Sequence, residues 1–293
     1  MKKDNLNFIF WGTPDVASET LEILKENGYI PSLIITAPDK PQGRKMTITP
    51  PPVKVWAIEN NIPYLQPEEL TGGKRSDLFE FLRSNLKEPG ENFRGKQNIP
   101  DFFLVVAYGK IIPEDIINLP KLGSINIHYS LLPKYRGASP VESAILNGET
   151  ETGITIQKIE YKMDTGPIMV QEKVKINPEE KASELRKRLI KIGGELLVKI
   201  LPDFIDGKIK LIPQDNNEAT YCKKIKKEDG LIDLGAELPS ELYNKFRAYA
   251  SWPRIFFFQN KKRVIITDAI LENGNFIIKK VIPESEKETN YKN

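Results

Sequence analysis

Histidine and cysteine are the scarcest reactive residues in this 293-residue sequence, and each occurs once, as His128 and Cys222. A single cysteine can form no intrachain disulfide, and one histidine with one cysteine lacks the ligand spacing of a metal site such as zinc. No uninterrupted apolar run approaches the ~20 residues that cross a bilayer, so no membrane association is predicted. The first strand-like segment begins near Leu6 without a preceding signal-peptide pattern, and we therefore expect a cytoplasmic protein.

Positive charge is concentrated in the C-terminal part of the chain. The formal net charge is +3, and residues 208–293 carry 16 basic and 12 acidic side chains, against 27 and 28 in residues 1–207. The densest basic clusters of residues 208–293 are Lys223-Lys224, Lys226-Lys227 and Lys261-Lys262-Arg263. Such clusters attract a polyanion without reading its sequence. Solvated lysines on a small β domain are the simpler alternative.

The pattern of apolar residues predicts two domains of different type. Strand-like and helix-like segments alternate over residues 1–207, which favours a Rossmann-like parallel sheet covered by helices. The turn after the first strand has one glycine rather than G-x-G-x-x-G, so the dinucleotide fingerprint is absent. Short strands separated by Gly, Asn and Asp turns predict a small β-barrel over residues 208–293. The polar residues 85–97 are interpreted as a surface excursion.

Asn126 and His128 are two residues apart at the end of a predicted strand, so both side chains should project from one face. An amide N–H can stabilise an oxyanion, and an imidazole can bind or shuttle a proton. A later carboxylate, Asp164, could orient that imidazole. These groups suit transfer of an acyl group to an amine without a serine or cysteine nucleophile. Taken alone, however, Asn-x-His is more often an ordinary pair of polar residues at a strand end.

The longer string over residues 126–140, NIHYSLLPKYRGASP, together with MDTGP at residues 163–167, resembles the signature of the formyltransferases that use 10-formyltetrahydrofolate. The resemblance implies a catalytic trio of Asn126, His128 and Asp164. It also implies that the folate site is lined by Ser130, Leu131, Leu132 and Pro133. The chain departs from the family pattern beside the site, with Tyr129 where a small residue is usual and Lys162 where glycine is usual.

Other segments resemble the branch of this family that acts on methionyl-tRNA. They are residues 8–14, 37–44, 49–57, 219–230 and 246–253. In the family, the loop corresponding to residues 38–54 reaches into the acceptor end of the tRNA, which would place Arg44 and Lys45 near phosphates or unpaired bases. Long loops without apolar periodicity are often functional. The resemblance also implies an OB-like C-terminal domain, with initiator methionyl-tRNA and folate as partners and no protein partner.

Three other functions remain open from the sequence. A formyltransferase acting on the amino group of a nucleotide-linked sugar would share the trio but has less use for the basic loop. A formyltetrahydrofolate hydrolase would use water in place of the amine. A nucleic-acid-binding module with an inactive α/β domain is the alternative from a different class. Activity with a charged tRNA, with a sugar nucleotide or with no acceptor separates these functions.

Overall fold

The computed structural model describes residues 6–43, 46–70 and 99–292. The strands described are β1 Phe8–Gly12, β2 Leu33–Ile35, β3 Lys40–Gln42, β4 Thr47–Thr49, β5 Tyr64–Leu65, β6 Phe102–Val106, β7 Ser124–His128, β8 Arg136–Gly137, β9 Glu151–Lys158, β10 Ile168–Lys175, β11 Tyr221–Cys222, β12 Phe256–Gln259, β13 Lys262–Glu272, β14 Asn275–Pro283 and β15 Thr289–Asn290. The helices are α1 Asp15–Glu26, α2 Pro52–Glu59, α3 Glu114–Ile117, α4 Pro140–Leu146, α5 Ala182–Ile205 and α6 Pro239–Ala248, with 3₁₀ turns at Asn216–Glu218 and Lys227–Gly230. The excursion predicted at residues 85–97 lies outside the described residues.

The central element is a seven-stranded sheet with the order β10-β9-β7-β6-β1-β2-β5. Strands β7, β6, β1, β2 and β5 pair in parallel, whereas β9 runs antiparallel to β7. Strands β1 and β6 are buried along their whole length. Near-continuous apolar runs of this kind are typical of parallel strands covered on both faces. The prediction of an α/β fold with a mostly parallel sheet is confirmed, and the antiparallel β7–β9 pair is the feature that the sequence did not predict.

The described chain divides into two compact units. The first comprises the residues up to His128 together with Thr155–Val170 and Ile190–Gln214. The second comprises Tyr129–Ile154, Gln171–Leu189 and the residues from Asp215 onwards. The domain boundary predicted between residues 207 and 208 stays a prediction.

Aromatic and aliphatic side chains form the core of the first unit beside the parallel strands. The Trp11 ring lies 5.5 Å from the Phe103 ring and 5.2 Å from the Tyr108 ring, centroid to centroid. Side chains from β1, β2, β6 and α3 are buried in the same cluster. Helix α1 contributes a separate buried stripe, Ala17, Leu21 and Leu24, at helical spacing. Each fully buried Leu, Ile or Phe side chain contributes about 1.5–3 kcal/mol to the stability of the fold. This burial holds the strands in place.

The second unit contains a four-stranded antiparallel sheet in the order β12-β13-β14-β15. These strands lie within residues 208–293, where the sequence predicts a small domain of short strands, and a C-terminal β domain is confirmed. Helix α6 contacts both β13 and β14 and buries Leu242 and Phe246. Among the helices of the described residues, none combines the length and the apolar character that a membrane crossing requires.

Candidate active site

The predicted catalytic residues Asn126 and His128 lie at the carboxyl end of β7. Asn126 is the register partner of Gln157 on β9, and His128 is the register partner of Thr155. Because alternate residues of a strand share a face, Asn126 and His128 project from the same side of the sheet. His128 is only 5% exposed, whereas Asn126 is half-buried. The site is thus an amide and an imidazole on one face of β7, which lies inside the sheet between β9 and β6.

Asp164 lies in the turn between β9 and β10 and faces the histidine. Its Oδ1 is 3.7 Å from His128 Nδ1, and both side chains are largely buried. This separation exceeds an ordinary N–H···O hydrogen bond, which spans about 2.7–3.2 Å. Catalytic hydrogen bonds are often long before substrate binds, so the carboxylate is within the range from which it can close on the imidazole. The structure therefore brings the three residues of the trio together.

Two glutamines contact Asp164, and sequence reasoning missed both. Gln157 Nε2 donates to Asp164 Oδ1 at 3.1 Å. Gln214 Nε2 lies within donating distance of the main-chain oxygens of Asp164 and Gly166, at 2.9 and 2.7 Å, and of Gln157 Oε1 at 3.2 Å. Gln157 could have been found as a polar side chain in the alternating segment that follows Gly153. Nothing in the local sequence marks Gln214.

Gly166 sets the path of the turn that carries Asp164. A Cβ atom on Gly166 would lie 1.8 Å from the carbonyl oxygen of Lys158, a distance that no side chain tolerates. The close approach is accompanied by a hydrogen bond from Lys158 N to the carbonyl of Pro167 at 3.0 Å. Lys162, the departure from the family pattern, is exposed, and its carbonyl accepts a bond from the Thr165 hydroxyl at 2.9 Å. The turn is thus fixed by close backbone contacts, and the lysine side chain is accommodated.

The predicted folate-binding residues form an ordered turn in the second unit. Ser130 is fully buried, and its hydroxyl donates to the carbonyl of Lys134 at 2.6 Å. Gln171 Nε2 donates to the carbonyl of Leu132, which is also buried, at 2.8 Å. Leu131 and Pro133 are half-buried. Ser130 and Leu132 therefore shape the turn, whereas Leu131 and Pro133 keep apolar surface within reach of a ligand.

The segment predicted as a long loop over residues 38–54 contains a short antiparallel hairpin of β3 and β4, so that prediction is wrong at these two strands. Helix α2 begins at Pro52. The residues of the hairpin strands are exposed apart from Thr49, which is half-buried. The predicted tRNA contacts Arg44 and Lys45 lie outside the described residues.

Metal binding is not indicated by the part of the chain that the structure describes. It contains no group of three or more His, Cys, Asp and Glu side chains arranged to hold an ion. Cys222 is buried, and its Sγ lies 3.4 Å from the carbonyl oxygens of Tyr135 and Arg136.

Family models and relatives identify the class of protein to which the chain belongs. The family described as Formyl transferase matches residues 5–201, and Formyl transferase, C-terminal domain, matches residues 224–285. The α/β fold that carries Asn126, His128 and Asp164 is therefore that of a formyltransferase. The Methionyl-tRNA formyltransferase of Thermotoga maritima is 42% identical over 248 residues, which cover 85% of this chain and 74% of the relative.

A second relative, the Methionyl-tRNA formyltransferase of a Sulfurihydrogenibium species, is 39% identical over 285 residues, covering 97% of this chain and 86% of the relative. The chain belongs to the methionyl-tRNA formyltransferase family, and the predicted family membership is confirmed. The solved structure of Methionyl-tRNA formyltransferase from Clostridium thermocellum matches with a TM-score of 0.59 at 18% identity, covering 95% of this chain and 98% of that one. At that identity the structural match supports the fold.

Proposed function

We propose that Asn126, His128 and Asp164 transfer the formyl group of 10-formyltetrahydrofolate to the free α-amine of methionine on initiator methionyl-tRNA. The product is N-formylmethionyl-tRNA, which serves translation initiation. The observation that carries the assignment of roles is the 3.7 Å approach of Asp164 Oδ1 to His128 Nδ1, on the face of β7 from which Asn126 also projects.

The reaction begins when the amine nitrogen attacks the formyl carbon and the carbonyl oxygen becomes an oxyanion. The Asn126 amide and a protonated His128 donate hydrogen bonds to that oxygen. Loss of one such donor typically lowers the rate about 10²–10³-fold. The amine proton passes to Asp164, directly or through water. The bond between the formyl carbon and N10 of the folate then breaks, and N10 takes a proton from His128, which Asp164 protonates again.

Asp164 has the role of orienting the imidazole and balancing its positive charge. A carboxylate facing Nδ1 can accept a hydrogen bond from the ring and so fix the orientation of the imidazole. In this proposal the same carboxylate accepts the proton from the amine as the intermediate forms. No serine or cysteine nucleophile takes part in this scheme.

The folate donor is held by residues 130–133 in this proposal. Leu131 and Pro133 supply the apolar contact that a flat heterocycle needs, while Ser130 and Leu132 maintain the turn. The buried hydrogen bonds of Ser130 and Leu132 support this division of labour, because they occupy groups that would otherwise be available to a ligand.

The tRNA is bound mainly through its phosphates. The lysines of the C-terminal clusters are exposed, namely Lys223, Lys224, Lys226, Lys227, Lys261 and Lys262. Exposed cations of this kind supply sequence-independent affinity for RNA. Arg44 and Lys45 are assigned to the acceptor end, and residues 208–293 to a tRNA-holding domain. The cytoplasm is the proposed location because charged tRNA is used there.

The test is a formyl-transfer assay with three acceptor conditions: methionyl-tRNA, a nucleotide-linked amino sugar and no acceptor. We expect efficient formylation of methionyl-tRNA and only background release of formate in the other two. An Asp164→Asn variant should lose most of the transfer to methionyl-tRNA. Preferred formylation of the sugar, or rapid hydrolysis without acceptor, would overturn the proposed acceptor.

A further inference from the structure

We infer that Gln157 and Gln214 are positioning residues that hold Asp164 toward His128 during formyl transfer. The inference rests on the catalytic trio proposed above. The two glutamines come from different parts of the chain, one from β9 and the other from the segment after α5, yet both contact the same aspartate.

Gln214 acts on the backbone of Asp164. Asp164 has a φ of +54°, in the left-handed region, which is uncommon for residues other than glycine although aspartate enters it more readily than most. The Gln214 amide donates to the carbonyls of Asp164 and Gly166, on either side of Thr165. These bonds, together with the tight passage of Gly166 past Lys158, hold the turn in the conformation that points the carboxylate at the histidine.

Gln157 acts on the carboxylate itself. Its side chain is almost fully buried, and its Nε2 donates to Oδ1 of Asp164, the oxygen that also faces His128. Rotation of the carboxylate away from the imidazole would break this bond. Register pairing with Asn126 fixes Gln157 on the strand next to the catalytic amide.

The two glutamines also fix each other. Gln214 Nε2 directs its two hydrogens at the carbonyls of Asp164 and Gly166, and Gln157 Oε1, at 3.2 Å, shares one of them at longer range. This contact favours the orientation in which the Gln157 amide presents its NH₂ group to Asp164. If the Gln157 amide were turned around, its NH₂ group would face the NH₂ group of Gln214. Its oxygen would then face the carboxylate of Asp164, and both contacts would be unfavourable. Hydrogen bonds linked in this way strengthen one another in a buried site. The orientation of Asp164 is therefore set by a chain of contacts outside the trio.

The first experiment replaces each glutamine by methionine, which keeps the length of the side chain and removes the amide. We expect kcat with methionyl-tRNA to fall about 10- to 100-fold while KM for tRNA and for 10-formyltetrahydrofolate stays within about twofold, since a misplacement near 1 Å can cost about 10²-fold. Asn60→Leu is the matched control. It removes a side-chain amide that donates to the carbonyl of Trp56 at the end of α2, and should leave kcat unchanged.

A double-mutant cycle separates positioning from general structural damage. In an Asp164→Ala background, Gln157→Met and Gln214→Met should cause no further loss of kcat, because the group they position is gone. Equal losses in the presence and absence of Asp164 would overturn the inference. If the Asp164→Ala variant keeps full activity, the proposed catalytic trio is wrong. If Asp164→Ala is inactive while both methionine variants keep the wild-type kcat, only the positioning role of the glutamines is wrong.

Gln157→Glu supplies a readout that a purely structural residue would not move. The ionised glutamate repels Asp164, whereas the protonated glutamate can again donate to it, and burial beside a carboxylate raises the pKa of the new group. The ratio of kcat for Gln157→Glu to kcat for Gln157→Met should therefore rise as the pH falls. Because both variants retain His128 and Asp164, the ratio cancels pH effects that arise from those two residues. A ratio that is independent of pH contradicts a hydrogen-bonding role for Gln157.

Discussion

Asn126 and Gln157 lie opposite each other as register partners in the antiparallel pair of β7 and β9. One side chain belongs to the proposed trio, and the other contacts the proposed catalytic aspartate. The pairing of two strands thus places the proposed oxyanion donor, Asn126, beside an amide that hydrogen-bonds to the Asp164 carboxylate. A slip of one residue in this register would turn Gln157 to the other face of the sheet and separate it from Asp164.

His128→Ala should lower kcat with methionyl-tRNA by about 10²–10⁴-fold, because it removes the proposed proton carrier and one oxyanion donor. Rapid-quench kinetics measure the chemical step. Folate binding and the midpoint of thermal unfolding serve as controls, and we expect affinity for the folate to be close to that of the wild type. Near-normal turnover in this variant would remove the histidine from the mechanism.

Gly166→Ala should abolish most of the activity through a backbone shift. The added methyl group would meet the carbonyl oxygen of Lys158 at 1.8 Å, so the turn that carries Asp164 must move. Gly235→Ala is the matched control, since its new Cβ would meet only Asp233 Oδ1 at 3.5 Å, an ordinary contact. Steady-state kinetics of both variants test the idea, and equal activity of the two would mean that the position of the turn is unimportant.

Arg44→Ala should weaken the use of methionyl-tRNA and leave folate affinity unchanged. If Arg44 contacts a phosphate, the slope of log affinity against log salt should decrease by about 0.7–0.9. A contact with an unpaired base would also relax discrimination between initiator and other tRNAs. Binding titrations at several salt concentrations decide between these contacts. A wild-type slope together with wild-type kinetics would show that Arg44 has no role in tRNA binding.

Tyr135→Phe should lower the free energy of unfolding at neutral pH by about 1–3 kcal/mol, because the Glu149 carboxylate loses the hydrogen bond that the Tyr135 hydroxyl donates to it. Burial is the main cause that raises the pKa of Tyr135 to about 12. The unfolded phenol ionises near pH 10, so the stabilisation is complete below that pH and is lost as the pH rises toward about 12.

Denaturant unfolding of the wild type and of Tyr135→Phe between pH 8 and about 11.5 measures this effect. The difference in the free energy of unfolding between the two proteins should shrink as the pH rises above about 10. A difference that stays constant with pH would mean that Tyr135 ionises equally readily in the folded and the unfolded chain.

The fold of the central sheet could be predicted in large part because its signals are local. The apolar runs of β1 and β6, and the helical spacing of Leu21 and Leu24, are readable without any knowledge of the neighbours. The hairpin of β3 and β4 was missed because exposed polar strands with a proline carry little apolar pattern. The antiparallel course of β9 was missed because strand direction depends on how the chain returns to the sheet.

The proposed catalytic residues could be located from the sequence, whereas the groups that hold them could not. Asn126 and His128 are neighbours on one strand, and their string of motif residues is continuous with the proposed folate turn. Gln214 is a single polar residue 50 positions after Asp164 in the sequence. Only its hydrogen bonds to the turn that carries Asp164 show that it belongs to the site.

The sequence by itself determined the residue types of the site, the strand that carries two of them and the family to which the chain belongs, because these depend on short-range order along the chain. Only the tertiary structure decided that Asp164 faces His128, that Gln157 and Gln214 meet at that aspartate, and that Gly166 must lie against Lys158. Those contacts join segments that are distant in sequence. They exist only when the strands pair in one register and the apolar core fixes their positions.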